Sequence, residues 1–229
     1  MKKTPLVFVF DYDNQILTNV VKPGSEWIFQ GQAIPTIKFD GTATLWKNGK
    51  LWKRFDRKLT PEGQKFVKKN PGVTPEISLF KKAPEGFEPC EESPDQKTFH
   101  WPGWVPVSEE KPEDKYFIEA LKNFNDEFIE GATYELVGPA LSKNPYDLEK
   151  HELWKHASIK ADLEDFSFEA ICQFMRDNVI EGLVFHNKED GRVAKIRRGD
   201  FLLVADRSLH WKDMTPEQLQ NVEKPKMKI

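Results

Sequence analysis

Lys38-Phe39-Asp40-Gly41 gathers an amine, a carboxylate and a glycine within four residues. Lys38 lies near the end of an apolar stretch, residues 34–39, that reads as a strand, and Asp40-Gly41 is turn chemistry. A lysine is a poor nucleophile while protonated, and its ordinary pKa is about 10.4. Desolvation or a neighbouring cation frees the amine. A glycine lets a ligand approach the backbone where a Cβ would block it. Taken alone, the tetrapeptide fits a solvated lysine at a strand end better.

Four further segments repeat this chemistry. Arg54 and Arg57 stand at the far end of the hairpin that leaves Lys38. Glu135 sits in the middle of an apolar run, where an unpaired carboxylate is costly. Glu181 precedes Gly182 at the start of a strand, the same acid-plus-glycine pattern as Asp40-Gly41. Lys195-Ile196-Arg197 alternates cation, apolar, cation, so on a strand both cations point to one face. A nucleophilic lysine, phosphate-binding cations and carboxylates able to hold a divalent metal are what nucleotidyl transfer from a triphosphate requires.

The elements that must position these groups can be traced along the chain. Residues 5–10 and 15–21 read as a hairpin around Asp11-Tyr12-Asp13-Asn14. Residues 42–47 and 50–55 flank Asn48-Gly49, the sequence of a type I′ turn. Residues 60–69 suit a short helix capped by Thr60, and residues 60–112 as a whole are rich in proline, glycine and charge. His100 to Val107, with Trp101 and Trp104, reads as a packed aromatic loop. Residues 114–124 and 168–178 have helical apolar periodicity, the second with Ser167 as cap and Ile171, Phe174 and Met175 inward. Residues 131–138, 152–159, 179–186 and 192–198 read as strands, 201–205 as an apolar stretch, and 215–222 as a short helix.

The totals narrow the classes. The chain has 229 residues, suited to a single domain spanning 1–229. A net charge of −3 excludes a uniformly basic nucleic-acid coat, so any such surface is a local patch. Cys90 and Cys172, the two cysteines, match neither a disulfide framework nor a metal-ligand pair. The five histidines show no metal-ligand spacing. No apolar run approaches a membrane span, and the opening residues are too short for a secretory signal. A soluble, cytoplasmic, monomeric protein with no membrane partner is expected.

In order and spacing the set resembles the covalent nucleotidyltransferase superfamily of ATP-dependent DNA and RNA ligases and RNA capping enzymes. Lys38-Phe39-Asp40-Gly41 is similar to motif I, Tyr134-Glu135-Leu136-Val137-Gly138 to motif III, Glu181-Gly182-Leu183-Val184-Phe185 to motif IV, and Lys195-Ile196-Arg197 to motif V. A closer resemblance is to the 5′-to-3′ RNA ligase family first recognised in vertebrates. It rests on residues 51–58, Pro102-Gly103-Trp104-Val105-Pro106-Val107, and Glu135-Leu136-Val137-Gly138-Pro139 leading to Asn144-Pro145-Tyr146. Arg197 departs from the usual second lysine of motif V, and the roughly thirty residues after it are too few for an appended OB-fold.

The resemblance implies an α+β fold: an ATP-grasp-like adenylation domain of two antiparallel sheets flanked by helices. It implies an ATP-dependent, self-adenylating RNA ligase with Mg²⁺ or Mn²⁺, sealing RNA with 5′-phosphate and 3′-hydroxyl ends. Lys38 would carry AMP, with Ile37, Asp40, Gly41, Arg54, Glu135, Lys195 and Arg197 around the nucleotide and Glu181 with Asp40 at the metal. Lys53, Arg57, Lys58, His186, Arg192 and Arg198 are the candidate RNA contacts. The alternatives are another covalent nucleotidyltransferase, such as a DNA ligase or capping enzyme, a non-catalytic RNA binder, and a haloacid-dehalogenase-type phosphatase. The last is suggested by Asp11-x-Asp13, with Asp200 and Asp206 as late acids, and opposed by the hairpin pattern and a missing threonine.

Overall fold

The computed structural model describes residues 3–203 and 208–221. It is a mixed α+β structure, rich in antiparallel sheet and poor in helix. Two compact units make it up, one built on Gly41–Lys155, the other on Thr4–Asp40 and the described residues from His156 on. The boundary falls inside the Lys38–Gly41 stretch.

The second unit begins with a hairpin, β1 (Phe8–Asp11) and β2 (Ile16–Val21). Its turn is held by Asp11, whose Oδ1 accepts from the backbone N–H of Asp13 and Asn14 at 2.9 and 3.1 Å. That is an Asx turn, which gives Asp11 a structural task. β3 (Ala33–Lys38) belongs to this unit and ends on the lysine.

In the first unit β4 (Thr42–Lys47) and β5 (Lys50–Arg57) form the expected hairpin, with Asn48 and Gly49 at φ 53° and 67° as a type I′ turn demands. α1 (Pro61–Lys69) starts at Thr60, whose hydroxyl accepts from Gly63 N at 3.1 Å. β6 (Glu88–Pro89) and β7 (Trp101–Pro106) follow, then α2 (Lys115–Asn123), β8 (Thr133–Val137) and β9 (Glu152–Lys155). Together they make one six-stranded sheet in the order β6-β7-β5-β4-β8-β9. α2 covers one face, where Phe117 and Ala120 pack with Leu51, Tyr134, Leu136 and Leu153. Each such large side chain contributes roughly 1.5–3 kcal/mol through burial.

Two expectations change here. Within the segment 100–107, Trp101–Pro106 is a strand, despite Pro102 and Pro106. β6 pairs only two residues with β7, so β7 lies almost at a sheet edge, where proline is tolerated. The strand expected over 152–159 stops at Lys155, because Ala157 turns to φ 61°. Residues beyond it pair alongside β3 instead, with Ile37 N donating to Ile159 O and Ala161 N to Pro35 O at 2.9 and 3.0 Å.

The second unit resumes with α3 (Phe168–Asp177), β10 (Gly182–Asn187) and β11 (Val193–Arg197). Ser167 caps α3, its hydroxyl accepting from Ala170 N at 3.2 Å, and the helix buries Ile171, Cys172 and Met175. The sheet order is β11-β10-β3. Its outer edges are lined by residues 5–7 beside β11 and residues 159–161 beside β3. Where a helix was expected over 215–222, a 3₁₀ turn spans Pro216–Gln218; Ala205, Asp206 and Val222 lie outside the described residues. Among the described residues, no helix is long and apolar enough to cross a membrane.

Candidate functional site

Strand register assembles the chemistry of the second unit. Gly182 on β10 faces Lys38 on one side and Arg197 on the other; Val184 faces Thr36 and Lys195 in the same way. Side chains alternate along a strand, so Lys38, Lys195 and Arg197 leave the sheet on one face. Leu183, Phe185, Ala194 and Ile196 fill the core on the opposite face and are fully buried. Gly182 is required by this pairing, since a Cβ there would stand 2.2 Å from the carbonyl oxygen of Ile196.

Nζ of Lys38 donates to Glu181 Oε2 at 2.6 Å and to the carbonyl of Phe39 at 3.0 Å. Their side chains are 22% and 13% exposed, so the pair is sheltered yet reachable. The guanidinium of Arg197 forks onto Asp200, with Nη2 donating to Oδ1 at 2.7 Å and Nε at 3.2 Å. Burial opposes the charge on Arg197, but the carboxylates of Asp200 and Glu181 outweigh it and hold its pKa above the ordinary value. At Lys195 the balance goes the other way: burial, then Arg197 and Lys38, outweigh the carboxylates of Glu181 and Asp200 and hold its pKa below the usual lysine value. Three cations converging beside two carboxylates make a site for a polyanion, with one amine placed to react.

Asp40 turns Oδ2 toward the C-terminal segment. The indole Nε1 of Trp211 donates to it at 2.7 Å, and His210 Nε2 stands 3.2 Å from the same oxygen without hydrogen-bond alignment. Sequence reasoning missed Trp211 and His210, and it noticed Asp200 only as a feature of the phosphatase alternative. No local pattern joins Trp211 to a residue 171 positions away.

For Mg²⁺ or Mn²⁺ the donor set is sparse but suitable. Mg²⁺ is ordinarily held by one or two carboxylates together with substrate phosphates and waters, and Glu181 is a carboxylate of that kind. Among the described residues, no three His, Cys, Asp or Glu side chains form a ready-made cage.

In the first unit, Glu135 and Arg54 share the sheet face opposite α2. Glu135 alternates with Tyr134 and Leu136, which pack under that helix. Arg54 alternates with Lys53, which pairs with Asp114 at the helix start. Glu135 is 7% exposed, and Arg54 lies 5.8 Å from the ring of Trp104, its cross-strand neighbour. Gly41 passes so close to β8 that a Cβ would meet Leu136 O at 2.1 Å. Its small size is therefore required by strand packing alone.

The candidate RNA contacts divide. Arg198 has no exposed surface, and its guanidinium donates to the carbonyls of Met175, Asn178 and Met214. It is a core staple, which corrects its expected role on RNA. Lys53 faces the α2 side and pairs with the fully buried Asp114. Arg57 packs beside the rings of Phe80 and Trp101, 5.8 and 5.2 Å from their centres, with Nε donating to Lys81 O at 2.6 Å. Arg192 pairs with Asp190 at 2.7 Å and lies over Trp27. Lys58 is exposed. His186 shares the face of Lys38, its Nε2 lying 2.9 Å from Thr36 Oγ1. Burial, with His156 adding to it, lowers its pKa below the ordinary histidine value. The chain matches no protein-family model and no curated protein sequence.

Proposed function

We propose that the protein is an ATP-dependent RNA ligase that works through a lysyl-AMP intermediate on Lys38, with the adenylation-domain fold that this chemistry implies. The observation that carries the reading is the cross-strand row Lys38–Gly182–Arg197, with Glu181 and Lys195 beside it. It sets a primary amine among cations that can neutralise a triphosphate, and it does so at the motif positions that resemble ligases.

In this reading Nζ of Lys38, having lost a proton, attacks the α-phosphorus of ATP. An N–P bond forms, the α–β phosphoanhydride breaks, and pyrophosphate leaves. Lys195 and Arg197 bear the phosphate charge, and Asp200 fixes the fork of Arg197. A divalent cation, when bound, adds charge neutralisation at the phosphates, and Glu181 would hold it. AMP then passes from Lys38 to the 5′-phosphate of RNA, releasing the amine, and attack by a 3′-hydroxyl forms the phosphodiester and expels AMP.

The test is incubation with ATP labelled at the α-phosphate, followed by denaturing electrophoresis and then by sealing of 5′-phosphorylated RNA. Label retained on the wild-type chain and lost in Lys38→Ala is the expected result. A wild-type chain that takes no label, or a Lys38→Ala variant that keeps it, overturns the mechanism.

A further inference from the structure

Residues 57–82 hold seven lysines and arginines against two carboxylates, in a chain whose net charge is −3. Six of them, Lys58, Lys65, Lys68, Lys69, Lys81 and Lys82, are exposed. None of the six makes an ion pair among the described residues, whereas Lys38, Lys47 and Lys53 are each paired with a carboxylate. Lys65, Lys68 and Lys69 stand at i, i+3 and i+4 on α1, so they share one face of the helix, an arrangement of like charges that disfavours an isolated helix.

The lysines stand on a fixed frame. Arg57 ties down the limb that follows α1, its guanidinium lying against the Phe80 and Trp101 rings and donating to Lys81 O. Lys81 N donates to Lys58 O at 2.9 Å, Thr60 N to Leu79 O at 2.8 Å, and Leu59 bridges Phe80. At Gly63 the helix passes so near this limb that a Cβ would meet Leu79 O at 2.4 Å. The six amines therefore project from three segments held in one arrangement, which reduces the ordering that binding would require.

We propose that these lysines form a docking platform for the phosphate backbone of single-stranded RNA, an inference that rests on the ligase reading for the identity of the strand. Its location differs from the expected path, because Lys53 and Arg198 are committed elsewhere and α1 takes their place. An anionic membrane is the rival occupant, since Val73 and Ile77 are exposed in the loop after α1. The helix itself argues for RNA. An interfacial helix presents an apolar face to lipid, whereas Phe66 and Val67 are partly buried and the exposed positions of α1 are Pro61, Glu62, Gln64 and the three lysines.

The experiment is fluorescence anisotropy with a labelled 5′-phosphate RNA 20-mer, the matching DNA strand, and vesicles of phosphatidylserine and phosphatidylcholine, each across a salt series. Wild type is compared with Lys65→Gln/Lys68→Gln/Lys69→Gln and with the single variant Lys68→Gln. On single strands each phosphate contact adds about −0.7 to the slope of log K against log salt. The triple variant should flatten that slope by about 2, and at 0.1 M salt bind RNA roughly a hundredfold more weakly. The single variant should flatten it by about 0.7 and gives the same answer if the triple variant fails to fold. RNA binding unchanged in affinity and slope overturns the platform, and so does lysine-dependent binding of vesicles or of DNA in preference to RNA. AMP transfer to the wild-type protein is measured separately. A chain that takes no AMP but binds RNA through these lysines overturns the ligase reading and leaves the platform standing.

Discussion

Lys38 and Glu181 are 143 residues apart in sequence, yet Nζ and Oε2 lie 2.6 Å apart. The contact exists because Gly182 pairs opposite Lys38, which brings the residue before β10 to the end of β3. Two of the amine's hydrogens are engaged by Glu181 and the Phe39 carbonyl. On the proposed ligase reading, Glu181 must therefore find another partner before Lys38 attacks ATP.

Glu181→Gln tests this role because it keeps the shape and removes the charge. AMP transfer to Lys38 should fall at least about 10²-fold, the scale for a preorganised charge-stabilising group. The measurement is the initial rate of label uptake from ATP under single-turnover conditions. A change of less than tenfold would remove Glu181 from the reacting centre.

Gly182→Ala addresses the register that aligns the row. Its Cβ would fall 2.2 Å from Ile196 O and 2.9 Å from the Cα of Arg197, both on the neighbouring strand's backbone. Neither can move without disturbing β10–β11 pairing, so a loss of about 1–3 kcal/mol is expected from overpacking. Gly199→Ala is the comparison, because there the nearest atom is the flexible Cε of Met214 at 3.3 Å. Urea unfolding of both variants checks the contrast, and equal midpoints would contradict it.

Trp211→Phe removes the indole donor to Asp40 while keeping an aromatic ring in the same place. A hydrogen bond to a charged group contributes about 1.5–3 kcal/mol, so a stability loss of about 2 kcal/mol is expected. The variant should also loosen the segment around residues 208–214, read as faster amide hydrogen exchange there. Unchanged exchange and an unchanged unfolding midpoint would show that Asp40 does not hold this segment.

Much of this site was legible because its grammar is local. Asn48-Gly49 specifies its turn by positive φ at both positions, and Lys195-Ile196-Arg197 specifies its face by alternation alone. The same alternation places Lys53 and Arg54 on opposite faces of β5, a distinction available in the sequence but unresolved until Asp114 is seen to claim Lys53. Trp101–Pro106 was hidden for another reason. Two prolines argue against a strand in general, and only the two-residue β6 makes room for them. Asp200, His210 and Trp211 carry no periodic signal; their partners are set by how the chain after β11 packs back on the sheet.

His186 gives the fold a predictable response to acid. Its pKa is lowered, first by burial and then by His156, so the folded state binds less proton than the unfolded state below the ordinary histidine value of 6.5. Stability rises with pH wherever the unfolded state binds more protons. Stability should therefore fall as the pH drops below about 6.5, the value at which an unfolded-state histidine charges. His186→Gln keeps a polar group near Thr36 but removes the titration, so its unfolding midpoint should decline less between pH 7 and 5 than that of the wild type. Thermal melts of both proteins at half-unit pH intervals make the comparison. Parallel pH profiles would show that His186 is protonated as readily in the folded chain as in the unfolded one.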